Sequence, residues 1–188
     1  MSDSLITKKA IASALKKLCQ TKPFDKISIA DITESCGLNR QSFYYHFQDK
    51  YELLNWIYYN EGFVNVTDGI NFSNWSNRLL QLLQTMQKDK LFYMNTIKSQ
   101  DSSFEEYLCK ITHTLFYDAI EKLDTHKDLS EDHKNFYAQF YAFGICGVVA
   151  SWAKDGMKTP PEQVSEHLKS LALQSEKLAF ERYMDTRL

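Results

Sequence analysis

The sequence predicts an all-α fold, on three observations. Apolar side chains recur every three or four residues along most of the 188-residue chain, the spacing that gives a helix one apolar face. Its three prolines, Pro23, Pro160 and Pro161, fall between these runs, where they do not interrupt a helix. Apolar and polar residues do not alternate over the length that a strand needs. A chain of this size can hold one domain or a small and a larger one.

Residues 28–47 have the pattern of two short helices joined by a tight turn. Ser28 and Asn39 each precede a helical run, and their short side chains can accept the free N–H groups of a first helical turn. Gly37 lies between the two runs, where a tight turn most easily takes a positive φ. We therefore predict a helix-turn-helix within a small N-terminal domain, residues 1–50.

This segment separates into an inner and an outer face. A third helix is predicted to begin at Asp49, because Glu52 follows three residues later in a capping-box pattern. The apolar residues that share helical faces form one predicted core: Ile11, Leu15, Leu18, Ile29, Ile32, Phe43 and Phe47. The outer face of the second helix keeps polar and aromatic side chains: Arg40, Gln41, Ser42, Tyr44, Tyr45 and His46. So short a helix suits the DNA major groove, and ordinary helix packing is the alternative.

These residues carry a resemblance. The run at 37–47, GLNRQSFYYHF, and its continuation at 49–54, DKYELL, resemble the DNA-binding domain of the TetR family of bacterial transcriptional regulators. That family has a glycine there, then a short recognition helix ending in Tyr-x-His-Phe, then Lys-x-x-Leu. Within the family, residues 43–54 and the late helix with Trp152 are similar to a subgroup that contains activators of dihydroxyacetone kinase operons.

The resemblance implies roles for individual residues. It places Arg40 and Gln41 near base edges, where arginine can pair with guanine and glutamine with adenine. The remaining implied contacts are with phosphates or lie at helix starts: Ser28, Asn39, Ser42, Tyr44, Tyr45, His46 and Lys50. Ala30 stands where some relatives have a long base-reading side chain, so DNA shape is expected to contribute more to recognition.

Residues 51–188 are predicted to form a helical domain for effector binding and dimerisation. A connector at about 56–69 is followed by predicted helices at 75–88, 91–99, 104–123, 133–154 and 162–184. Aromatic side chains and one histidine could line an effector pocket, although such positions also pack in cores: Phe92, Tyr93, Tyr107, His113, Phe116, Tyr117, Tyr137 and Tyr141. The effector is left open between a small molecule and a partner protein.

The last two predicted helices combine aromatic and small residues, which let helix backbones approach closely. The predicted dimer interface consists of Phe140, Phe143, Gly144, Gly147, Val148, Ser151, Val164, Leu168 and Leu171. The family places a four-helix interface between two protomers here. A two-fold dimer would then present two recognition helices about 34–36 Å apart, matching a palindromic operator.

Composition agrees with DNA binding by the N-terminal domain. Residues 1–50 contain eight Lys or Arg and five Asp or Glu, a net charge of +3, whereas the remainder carries −5. The four cysteines form no CxxC pair, and neither a signal peptide nor a membrane-length apolar run is evident, so we expect a cytoplasmic protein with reduced thiols.

The sequence lacks the patterns of catalytic and metal sites. No G-x-S-x-G, phosphate-binding loop or dinucleotide fingerprint is found, so we expect neither an enzyme nor a cofactor. Glu105, Cys109 and His113 share a helical face, but without a fourth ligand this spacing indicates coincidence, and no metal site is predicted.

The predicted function is a sequence-specific, homodimeric DNA-binding regulator controlled through its C-terminal domain. The alternative is an interaction protein of the same fold that works through a partner protein without binding DNA. No contact with a membrane is expected.

Overall fold

The computed structural model describes residues 3–99 and 101–185, with side chains described at 4–99 and 101–174. All regular structure within these residues is helical, which confirms the predicted fold class. The N-terminal part, here called the head, consists of α1 (Asp3–Leu18), a 3₁₀ turn (Phe24–Lys26), α2 (Ile29–Ser35), α3 (Arg40–His46) and α4 (Lys50–Ile57).

The head has the core that the sequence predicts. Ile11, Leu15, Ile32 and Phe43 are fully buried, and Phe47 is 2% exposed. Leu18 and Ile29 are partly buried at its margin. Burying these faces fixes the relative orientation of α1, α2, α3 and α4, because each short helix gains its stability from packing rather than from its own length.

A continuous connector links the head to the rest of the chain. The chain continues from α4 through a π-helical segment (Tyr58–Phe63) into the short α5 (Val64–Thr67), and these residues lie within the connector predicted at about 56–69. Because Gly62 has no side chain, this wide turn can pack closely against Leu82 and Tyr93. A Cβ atom there would lie 3.3 Å from Leu82 Cδ1 and 3.4 Å from the Tyr93 hydroxyl.

The C-terminal part, here called the body, contains the longer helices. They are α6 (Trp75–Lys88), α7 (Lys90–Ile97), α8 (Ser103–Leu123), α9 (Glu131–Lys154) and α10 (Pro161–Asp185). The antiparallel pair α8 and α9 is the most extensively packed, and α10 packs on α6. By length and composition alone, α9 is the one described helix that could cross a membrane; core helices of globular proteins meet the same criterion, and its buried face packs along α8.

A buried lysine fixes the turn between α8 and α9. Lys134 is 3% exposed, and its Nζ lies 2.5 Å from Glu121, 3.3 Å from Asp124 and 3.5 Å from Glu131. The hydrogen bond to Glu121, reinforced by the other carboxylates, raises the pKa of Lys134 against the opposing effect of burial. The ammonium is therefore held charged where α8 and α9 meet.

Candidate nucleic-acid interface

The helix-turn-helix is held by short side chains at the helix starts. Ser28 Oγ accepts the Asp31 N–H at 3.2 Å, and Asp31 Oδ2 accepts the Ser28 N–H at 2.7 Å, a reciprocal capping box. Lys22 Nζ also lies 2.7 Å from Asp31 Oδ2. The hydrogen bonds from Lys22 and then Ser28 hold the pKa of Asp31 well below its usual range. The Ser28 cap was predicted, whereas the part played by Asp31 was not.

The second helix starts as the sequence predicted. Asn39 Oδ1 accepts the Ser42 N–H at 2.8 Å, and Gly37 takes a φ of +68° in the turn before it. Asp49 Oδ1 caps α4 by accepting the N–H groups of the second and third helical residues at 2.8 Å each. The reciprocal bond from Glu52 goes to the Gln48 N–H instead of to Asp49, at 2.5 Å. These caps fix α3 between two rigid turns.

The faces of α3 are divided as predicted. Phe43 points into the core, whereas Tyr44 is 55% and Tyr45 is 82% exposed. Arg40 and Gln41 are exposed, and Ser42 and His46 are half-buried. The Tyr45 and His46 rings meet edge to face with centroids 4.9 Å apart, which limits the freedom of both side chains. This outer face presents a guanidinium, an amide and hydroxyl groups, the groups that bind base edges and phosphates.

Lys50 is placed differently from the other predicted DNA contacts. Its Nζ donates to the carbonyl oxygens of Phe24, Asp25 and Ile27 at 3.0, 3.1 and 3.0 Å. It also lies 4.7 Å from the centroid of the Phe24 ring. Because an ammonium has three donors, all are used within the head in this arrangement. In this arrangement the side chain of Lys50 links the 3₁₀ turn to α4, and its expected contact with a phosphate stays a prediction.

The predicted effector-pocket residues do not come together in one place. Phe92 and Tyr93 are buried, and Tyr93 stacks on Tyr58 of the connector at 5.9 Å. Phe116 stacks on Tyr141 at 4.5 Å between α8 and α9. The others lie farther along these helices: His113 beside Tyr117, and the exposed Tyr137 beside His133. The aromatic positions at 92, 93 and 116 are thus packing positions, which helical periodicity alone does not distinguish from a pocket.

A groove of about 420 Å³ lies instead between α8 and the segment that leads from the connector to α6. Phe63, Phe72 and Leu115 contribute to its apolar wall, and Lys110 and Lys122 bring positive charge. Of the eight predicted pocket residues, Tyr107 alone lines this groove within the described part of the chain. Sequence reasoning missed the groove because its walls come from two distant segments, residues 59–72 and 107–122.

The predicted dimer interface divides into two groups. Phe140, Phe143, Gly144, Gly147, Val148 and Ser151 are exposed along one face of α9, and Leu171 is exposed on α10. We call these seven residues the α9–α10 face. Val164 and Leu168 are each only 6% exposed and belong to the protomer's own core, on the side of α10 that packs on α6. Their assignment to a dimer interface is therefore wrong.

Glu105 and Cys109, which share the metal-ligand spacing on α8 with His113, contact other groups. Cys109 Sγ lies 3.9 Å from the Ala142 carbonyl oxygen, and Glu105 accepts from Lys154 at 3.2 Å. Within the described residues, no group of three His, Cys, Asp or Glu side chains is placed to hold a metal ion.

A head with a capped helix-turn-helix and an exposed polar and aromatic recognition helix, joined to an all-helical body, defines a helix-turn-helix DNA-binding regulator. Comparison with protein families agrees with this class. Residues 11–57 match the family described as bacterial regulatory proteins, tetR family, and residues 73–174 match the transcriptional regulator C-terminal region. The chain belongs to the TetR family of bacterial transcriptional regulators, as predicted, and is not an enzyme.

The chain is also similar to individual members of the family. The chain is 33% identical over 152 residues to the HTH-type dhaKLM operon transcriptional activator DhaS of Lactococcus lactis subsp. lactis (strain IL1403), covering 79% of this chain and 80% of that protein. It is also similar to a solved structure of a dihydroxyacetone kinase operon activator DhaS, with a TM-score of 0.72, 30% identity, and coverage of 93% and 98%.

A solved structure of native NalD, a secondary repressor of the MexAB-OprM multidrug efflux pump in Pseudomonas aeruginosa, matches with a TM-score of 0.67 at 16% identity. The match covers 92% of this chain and 96% of that one, and it shows a common fold.

Proposed function

We propose that this protein regulates transcription in the bacterial cytoplasm as a homodimer that binds a palindromic operator with two copies of α3. The exposed outer face of α3, fixed by the Asn39 cap and anchored by Phe43, is the observation that carries this proposal. A two-fold dimer places two such helices about one turn of DNA apart, about 34–36 Å.

Side chains on α3 divide between base edges and the DNA backbone. Arg40 is exposed, and its guanidinium makes no hydrogen bond or ion pair to another described residue, so it is free to pair with guanine. Gln41 is the second base-reading candidate. Ser42, Tyr44, Tyr45 and His46, with the Ser28 end of α2, are assigned to the phosphates on either side. Asn39 holds the helix start from which these contacts are made.

The α9–α10 face supports dimerisation. Three phenylalanines of α9, Phe136, Phe140 and Phe143, are each more than 60% exposed, an apolar area that is unfavourable in water. Gly144 and Gly147 lie one and two turns after Phe140, and a Cβ atom at either position would meet nothing within 4 Å. Two copies of α9 can therefore approach closely along these glycines while the aromatic rings are buried between the protomers.

The groove beside α8 is the proposed place of control. Its wall includes Tyr59 and Phe63, which belong to the π-helical connector between head and body. An effector bound there would contact the segment that joins the sensing and DNA-binding parts, whether it is a small molecule or part of a protein. Because the similarity to the dihydroxyacetone kinase operon activators reaches 30–33% identity, we infer that the output is activation of an operon of that kind.

The test is binding of the purified protein to the promoter region adjoining its own gene, compared with random DNA of equal length at two salt concentrations. We expect tight, salt-sensitive binding with protection over a palindrome. Absence of preference over random DNA would favour the alternative, a protein of this fold that works through a partner protein without DNA.

Two variants of one residue sharpen the test. Arg40→Ala is expected to lose about 1–3 kcal/mol of preference at one base pair per half-site and to reduce the salt dependence. Arg40→Lys keeps the charge but not the bidentate geometry, so it should lose the base preference while retaining the salt dependence. Variants that bind every operator sequence as the wild type does would refute the assignment of Arg40.

A further inference from the structure

A single side chain of the body makes three hydrogen bonds to the backbone of the head. Asn95 on α7 donates through Nδ2 to the carbonyl oxygens of Cys19 and Lys22, at 3.0 and 2.8 Å. Its Oδ1 accepts the N–H of Phe24 at 2.7 Å. Both amide hydrogens and the carbonyl oxygen of Asn95 are thus engaged by the segment that connects α1 to α2.

This segment has turn hydrogen bonds of its own, but they leave some of its carbonyl oxygens without a backbone donor. α1 ends at Leu18, and the N–H groups of residues 20–22 bond back to Lys17 and Leu18, so the carbonyl oxygens of Cys19 and Lys22 receive no backbone donor within the described residues. Phe24 begins the 3₁₀ turn, and the turn leads through Ile27 directly to Ser28, which caps the first helix of the helix-turn-helix. Asn95 therefore fixes, from the body, the point at which the chain enters the DNA-binding helices.

Lys50 holds the same 3₁₀ turn from the other side. Asn95 binds the N–H of Phe24, whereas the Lys50 ammonium binds its carbonyl oxygen and those of Asp25 and Ile27. Since Lys50 begins α4, three residues after the buried Phe47, the turn is linked to the end of the recognition helix as well. A displacement of Asn95 would be transmitted to α2 and α3 as a unit.

A second tie joins head and body close to the connector. Lys16 Nζ, on α1, lies 2.5 Å from Glu61 in the π-helical segment and 2.9 Å from Asp89 at the junction of α6 and α7. All three side chains are partly buried, so this ion pair is screened less than one at the surface. The Lys16 and Asn95 contacts join head and body at two separate points, and two points of attachment restrict rotation of the head.

We propose that Asn95 is a positioning residue for DNA recognition, which sets the angle of the head on the body and therefore the half-site spacing that the dimer accepts. Lys16 is the second element of the same attachment. The inference rests on the proposed dimeric DNA-binding function. Asn95 then controls which operator spacing is accepted, whereas α3 controls which bases are preferred.

The experiment compares Asn95→Ala with the wild type on operators whose two half-sites are moved apart or together by one and two base pairs. Asn135→Ala is the matched control, because Asn135 is exposed on α9 and its amide bonds within its own helix. We expect Asn95→Ala to lose about tenfold in affinity at the preferred spacing and to discriminate less between spacings. Preference among bases within a half-site should stay as in the wild type.

Amide hydrogen exchange supplies a readout without DNA. Asn95→Ala should speed exchange of the Phe24 amide by about fivefold, the factor that corresponds to the roughly 1 kcal/mol contributed by a neutral hydrogen bond. The amides of Phe43 and Phe47, bonded within and at the end of α3, should keep their wild-type exchange. If Asn95→Ala fails to fold, Lys16→Met, which retains the apolar stem, is expected to broaden the accepted spacing in the same way.

Two outcomes separate this inference from the proposed function. A wild-type protein that prefers no operator would overturn the dimeric DNA-binding function and this inference with it. A wild type with a sharp preference for one spacing, shared unchanged by Asn95→Ala and Lys16→Met, would overturn the positioning role alone.

Discussion

Phe140→Ala tests the proposed dimer, because the side chain contributes little to the protomer and much to a dimer. Phe140 is 69% exposed on α9, with Phe136 and Phe143 exposed beside it. Removing an exposed ring leaves no cavity in the protomer, so the free energy of unfolding of the separated protomer should change by less than about 0.5 kcal/mol.

The expected effect on dimerisation follows from the exposed area. An aromatic side chain can bury about 150–250 Å², so roughly two thirds of it gives on the order of 100–170 Å² per protomer for burial in a dimer. At about 25 cal/mol per Å², and allowing for the area that alanine still buries, each substitution costs about 2 kcal/mol. Two-fold symmetry doubles this cost, so the dimer dissociation constant should rise by about three orders of magnitude.

Sedimentation equilibrium over a range of protein concentrations measures the dissociation constant. Ile6→Ala is the control for loss of an exposed apolar side chain, since Ile6 is 54% exposed in the head. Leu168→Ala is the opposite control: its side chain lies in the protomer core, so it should lose about 2–5 kcal/mol of unfolding free energy and leave the dimer interface intact. A Phe140→Ala protein that dimerises as tightly as Ile6→Ala would refute the reasoning.

Three further predictions concern the head. The depressed pKa of Asp31 stabilises the folded state above about pH 4, and this contribution is lost as the pH falls below that value. The Tm difference between wild type and Asp31→Asn should therefore narrow in acid. A Tm difference that does not depend on pH would contradict the ion pair with Lys22. Gly37→Ala places a Cβ in open space but at a φ of +68°. Thermal unfolding followed by circular dichroism should therefore show a loss of about 1–2 kcal/mol of unfolding free energy from backbone strain alone. A much larger loss would indicate a clash. Burial raises the pKa of the Cys19 thiol to about 12. Iodoacetamide at pH 8 should therefore modify the half-buried Cys36 before Cys19, which peptide mass spectrometry can show. Equal rates of modification at these two thiols would mean that the head opens readily.

Local interactions in the head were predictable from sequence. Ser28 and Asn39 cap their helices, Gly37 takes the left-handed turn, and Phe43 and Tyr45 lie on opposite faces of α3. Each of these features depends on residues within one or two helical turns, so the order of residues along the chain contains the necessary information. The family resemblance rests on the same short segment, and the family is therefore recognisable before any fold is known.

The body was predicted less completely. Its helices follow from the spacing of apolar residues, but the residues proposed for the pocket are distributed over several packing sites. The groove that is present is built from α8 and the segment after the connector. Periodicity shows that Val164 and Leu168 share a face with other apolar residues of α10, yet not whether that face meets α6 or another protomer.

What the sequence determined by itself is the main helices, the caps at Ser28, Asn39 and Asp49, and which face of α3 is exposed. The tertiary structure alone decided the contacts of Lys50 within the head, the attachment of Asn95 to the head, and which apolar faces lie inside the protomer. The physical reason is the range of the interactions. A cap or a turn is formed by neighbours in sequence, whereas the Asn95 contacts join residues more than seventy positions apart, and only folding brings those residues together.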